Sequence, residues 1–177
     1  FRLHGGAADV RDTVLRAAVA FGRERTLEQD ATFAFRIIVD VAIKALSSAI
    51  NDPTTAVLAL DQLHRLLRSA GRRNLHDDVL RGADHKPRVI LRTPNWEDFV
   101  TLSCREIRLY GASNFQVARR LRAMLENLLR TLPEKRAPAL REELELLDWA
   151  LDQLPMAPRD RALSRVPDLQ GLGSSSR

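Results

Sequence analysis

A single cysteine, Cys104, is present in the 177 residues. No internal disulfide can therefore staple the chain, which suits a reducing compartment. Its setting, LSCREI, reads as a half-buried helix, and no His or Asn is tied to it by a motif, so a packed thiol is expected rather than a nucleophile. No apolar run approaches the roughly 20 residues that cross a bilayer, and no signal peptide is seen. Glycine-rich cofactor loops and metal-ligand spacings are also missing, so the sequence specifies no cofactor and no metal. The excess of Lys plus Arg (28) over Asp plus Glu (23) gives a formal +5. That is mild for a nucleic-acid binder.

Hydrophobic residues supply 45% of the chain, enough for one domain with a real core. Residues 1–166 read as that domain and 167–177 as a flexible tail of disorder-like composition. Its centre is expected between Thr26 and Leu63. At about 100° per residue the segment from Thr32 to Ile50 is apolar over most of its circumference. Such a helix is normally surrounded by other elements, and Ile38, Val41, Ala42, Ala45 and Leu46 are expected among the most buried positions. One narrow stripe is polar: Arg36, Asp40, Lys44, Ser47 and Asn51, with Gln29 on the same line. The stripe is either a solvated ladder of i,i+4 pairs or the wall of a cleft that could hold a polar ligand. In a cleft, Arg36 and Asp40 would be strongly coupled, and strong coupling is the expectation.

Asp30 is placed to cap that helix. Asn51-Asp52-Pro53 should end it near Ile50 and start the next, with Asp52 as N-cap and Pro53 at the first helical position. These residues also carry a resemblance. Gln29-Asp30, FAFRIIVDVAIKALS from Phe33 to Ser47 and INDPTTAV from Ile50 to Val57 resemble the signature of a bacterial family of predicted membrane proteins, domain of unknown function 2254. Ala31, Ala34 and Ser48 stand where that pattern has proline, glycine and proline. The resemblance implies several membrane helices ahead of a C-terminal soluble part, and this chain would be that part. It implies no catalytic residue.

The remaining chain reads as further helices. An amphipathic one spans Asp9 to Phe21, closed by Gly22. A short one is expected from Leu75 to Arg81, where His76, Asp77 and Asp78 gather with Asp84, His85 and the more distant His64. Their spacing matches no metal motif, and exposed helix-end residues are expected. Val89 to Leu91 is β-like, either a connector or a two-stranded ribbon, with the loop around Arg25 as a possible partner strand. Asn95 caps a helix from Trp96 to Tyr110. Ser113 and Gln116 make a capping box for the next, which carries Arg119, Arg120 and Arg122 on a solvated face. From Pro138 a last long helix sets Leu140, Leu144, Leu147, Leu151 and Leu154 on a narrow seam for a helical hairpin or a homo-oligomer.

The fold expected is mostly α, a bundle of about six helices with at most one short β ribbon. The function expected is a regulatory or ligand-binding domain on the cytoplasmic face of a bacterial integral membrane protein. Its partners would be its own N-terminal membrane helices and a small polar ligand. That ligand would lie on Gln29, Asp30, Arg36, Asp40, Lys44, Ser47, Asn51 and Asp52. The alternative is an enzyme acting on a small polar substrate at Arg36, Asp40, Asn51 and Asp52. Nucleic-acid binding ranks last, because neither stacking aromatics nor a recognition helix accompanies the arginines.

Overall fold

The computed structural model describes residues 2–3, 13, 30–75, 79–81, 83–90 and 93–170. The protein is a mostly α bundle of six helices among these residues: α1 (Ala31–Leu46), α2 (Pro53–Gly71), α3 (Trp96–Gly111), α4 (Phe115–Thr131), α5 (Ala137–Asp152) and α6 (Pro158–Ser164). The helix expected over Asp9 to Phe21 lies almost wholly outside the described residues, of which it contributes only Thr13. The β content is one small antiparallel sheet, in which β3 (Pro87–Ile90) lies between β1 (Arg2–Leu3) and β2 (Val79–Arg81). Leu3 and Leu80 are each in register with Val89 across the ladder. The helix expected over Leu75–Arg81 is therefore corrected: Val79 to Arg81 is a strand. Val89 and Ile90 need a partner strand, and the chain between supplies a turn in which His85 adopts φ 59. Among the described residues the partners of β3 are residues 2–3 and 79–81; the loop around Arg25 lies outside the described residues.

Local chemistry explains the helix ends. Asp30 accepts from the Thr32 amide, Asp52 from the Thr55 amide with Pro53 in the first turn, and Asn95 forms a reciprocal capping box with Asp98. The fourth helix is capped one residue later than expected. Asn114, not Ser113, accepts from the Gln116 and Val117 amides, because Asn serves as a cap as well as Ser does.

Packing places α1 against α2 and α3, and α4 against α2 and α5, while α5 also lies on α3. The centre is therefore not α1. Only Phe35, Val39, Ala42 and Ala45 of α1 are buried, and Val41 is 47% exposed. Ile38 and Leu46 are partly buried. The most enclosed helix is α4, which buries Val117, Leu121, Met124, Leu125 and Leu128. Apolarity all round a helix permits a central place but does not assign one. The broader set of long side chains on α4 fills more space between neighbours. Leu140, Leu147 and Leu151 of the α5 seam are fully buried within the bundle.

Candidate functional site

The polar stripe and the α1–α2 corner form the first candidate. Helix α1 ends at Leu46, four residues before the expected Ile50. There Ser47 turns extended and its hydroxyl donates to the Lys44 carbonyl at 2.8 Å, closing the helix from its own side chain. A tight corner follows. The Asn51 amide donates to the Ser47 carbonyl at 2.8 Å, the Asp52 amide to the Ala45 carbonyl at 2.8 Å, and Asn51 takes φ 47. Asn is among the few residues that tolerate this left-handed conformation. The Asp52 carboxylate accepts from the amide and hydroxyl of Thr55 at 3.1 and 2.5 Å. These hydrogen bonds, the hydroxyl first, hold its pKa below the ordinary value.

Further along the stripe, Arg36 reaches across to Glu106 of α3 at 2.5 Å and stands 3.8 Å from Asp40. The side chains of Arg36 and Asp40 are 37% and 62% exposed, so the pair is open to water and not walled into a cleft. Lys44 and Asn51 are exposed. Gln29 lies outside the described residues. The structure thus brings Arg36, Asp40, Lys44, Ser47, Asn51 and Asp52 along one side and corner of the α1–α2 hairpin. It occupies Asp30, Ser47 and Asp52 in helix ends.

Other polar residues turn inward. Arg120 and Arg122, expected on a solvated face, are 5% and 8% exposed. Their stems pack in the core while their guanidinium groups pair with Asp61 of α2 and Asp148 of α5. Only Arg119 stays toward the surface, over the Phe115 ring and donating to the Val166 carbonyl. The chain beyond α6 follows the same helix: the Asp168 amide donates to the Arg119 carbonyl, and Arg120 donates to the carbonyls of Asp168 and Gln170. Residues 171–177 lie outside the described residues.

His64 is buried and hydrogen-bonded to Asn127 at 3.0 Å, with Arg68 donating to Asn127 at 2.8 Å. Desolvation, then the Arg68 charge, pushes its pKa down. Among the described residues no three His, Cys, Asp or Glu converge as a metal site would require. Asp84 and His85 occupy the β2–β3 turn, and His76 to Asp78 lie outside the described residues. Cys104 is a buried free thiol. Burial, then the nearby Glu143, raises its pKa, so it is held as the unreactive thiol.

A second feature had no signal in the sequence. Between the start of α1, the end of α2 and the start of α3 lies an apolar cleft of about 310 Å³. Phe35 and Phe99, with ring centroids 5.0 Å apart, line it together with Leu66, Ala70 and Leu75, and Ser69 and Arg73 are its polar lining residues. Three segments far apart in sequence make it, so no single stretch could announce it.

Comparison with known proteins bears on this arrangement. Uncharacterized protein Rv1290c of Mycobacterium tuberculosis and Uncharacterized protein Mb1321c of Mycobacterium bovis are each 38% identical to the chain over 94 residues. That stretch is 53% of this chain and only 18% of each relative. No solved structure matches. The family model described as Predicted membrane protein (DUF2254) matches residues 1–127, a span that takes in the capped corner, the stripe and the cleft, and the chain belongs to that family.

Proposed function

We propose that this chain is an extramembrane domain of a bacterial integral membrane protein and that it regulates or senses by binding, not by turnover. It sits on the cytoplasmic face, joined to membrane helices elsewhere in the full-length protein. The family description supports the membrane setting. No described helix is long and apolar enough to cross a membrane, which supports an extramembrane place for this part. The positive charge and the buried cysteine favour the cytoplasmic side.

The observation that carries binding over catalysis is the occupation of the corner's carboxylates. Asp52 holds Thr55, Asp30 holds Thr32, and Asp40 faces water. An acid or base needs a positioned atom at a reacting proton and an environment that shifts its pKa upward for acid work, whereas Asp52 is shifted down. A small polar ligand would meet Lys44, Asn51 and the Arg36–Glu106 pair on the open side of the stripe. Native mass spectrometry of the full-length protein tests this. The expected result is a retained small molecule whose occupancy falls in Lys44→Glu and Asn51→Leu. Occupancy unchanged by both would overturn the stripe as the ligand site, and turnover of a substrate abolished by Asp52→Asn would overturn binding as the function. Orientation is tested with an impermeant thiol reagent on a cysteine placed at Ser113, expected to react in inverted vesicles and not in intact cells.

A further inference from the structure

The apolar cleft lies apart from the polar stripe and has a different chemistry. Its lining is mostly hydrocarbon, with Phe35, Phe99, Leu66 and Leu75 as its largest apolar side chains. A volume of about 310 Å³ is at the lower end for small-molecule sites. A sugar or nucleotide would leave most of its polar groups unpaired against such walls. A hydrocarbon chain would not.

The polar end of the cleft is basic. Arg73 follows the end of α2, its amide bonded to the Ala70 carbonyl at 3.0 Å. The C-terminal carbonyls of a helix repel an anion, but here Arg136 brings a positive charge to that end, donating to the Gly71 carbonyl at 3.2 Å and to the Arg73 carbonyl just beyond the helix at 2.9 Å. No carboxylate among the described residues pairs with Arg72 or Arg73. Asp30, at the neighbouring start of α1, is engaged with the amide of Thr32.

We propose that this cleft binds a monomeric amphiphile with one acyl chain and an anionic head group. The chain lies between Phe35, Phe99 and Leu66, and the carboxylate or phosphate head lies on the Arg73 guanidinium.

Isothermal titration of the purified 177-residue chain tests this with dodecanoate, dodecyl phosphate and dodecanol, each below its aggregation concentration. Both anions are expected to bind one per chain and about tenfold more tightly than the alcohol, the size of one charge-assisted hydrogen-bonding contact. Dodecanoate favoured over dodecyl phosphate assigns the site to fatty acids, and the reverse assigns it to phosphorylated lipids. Arg73→Glu is expected to lose that tenfold preference while still binding dodecanol. Ala34→Trp, which fills the cleft, is expected to lose all three; should it fail to fold, Arg73→Glu and the ligand series on the unchanged protein still decide. Equal affinity for anions and alcohol, or an unaltered preference in Arg73→Glu, would overturn the proposal. So would association with phosphatidylglycerol vesicles in the absence of monomer binding. Because none of these residues belongs to the stripe, failure here leaves the stripe's ligand test standing.

Discussion

Arg36 and Arg108 each reach a glutamate across a helix interface, and the water around them separates their energetics. The Arg108–Glu143 pair, 3.2 Å apart, has side chains only 7% and 6% exposed. Desolvation raises the pKa of Glu143 against the opposing pull of Arg108. Breaking such a pair leaves one charge buried without a partner, whereas replacing both with apolar groups is often neutral. Urea melts of Arg108→Met are therefore expected to show a loss of about 3–5 kcal/mol, and Arg108→Met with Glu143→Leu to recover most of it. A double variant as unstable as the single would show that packing, not charge, holds this interface. The stripe behaves differently. Strong coupling of Arg36 and Asp40 followed from an enclosed helix, but α1 is half open and Asp40 is 62% exposed. A double-mutant cycle on Arg36→Met and Asp40→Leu is now expected to give a coupling under about 1 kcal/mol, measured by the same melts.

At the scale of elements, the α2–α4 interface is joined through polar side chains as well as leucines. His64, Asp61 and Arg68 on α2 meet Arg120 and Asn127 on α4. Burial and Arg68 lower the His64 pKa in the folded protein, so on acidification the unfolded chain takes up this proton first. Stability from this site is present above the ordinary histidine pKa of about 6.5 and is lost as pH falls below it. Thermal melts across this range should show the folded state weakening toward acid, and His64→Gln should flatten that slope; an unchanged slope would assign the acid sensitivity to other groups. How far elements could be read from sequence follows the same division between local and distant. Caps at Asp30, Asp52 and Asn95 were legible because a cap depends on residues two or three positions away. The burial of Arg120 and Arg122 was not, since it depends on Asp61 and Asp148, far along the chain. The apolar cleft was illegible for the same reason. Val41 was misplaced because periodicity shows which face of a helix is apolar, not which helix lies inside.

For the whole molecule, the arrangement of charge decides what the surface can bind. The formal +5 overstates any basic patch on α4, because Arg120 and Arg122 are buried in ion pairs, and Arg119 and Arg120 also hold the chain from Val166 to Gln170. Arg36, Arg108 and Arg165 are likewise paired with Glu106, Glu143, and Asp148 with Asp152. A protein that grips nucleic acid must offer several unpaired cations along one groove, each displacing a counterion and steepening the salt dependence. Fluorescence anisotropy with duplex DNA and single-stranded RNA at physiological salt is accordingly expected to show dissociation constants no tighter than about 10⁻⁶ M, the non-specific range, and no preference among sequences. Selective binding well below that value would require the Arg120–Asp61 and Arg122–Asp148 pairs to open. Asp61→Asn and Asp148→Asn, which remove those two carboxylate partners, would then bind more tightly still. Without such selectivity, these arginines act as the polar joints that fasten α4 to α2 and α5.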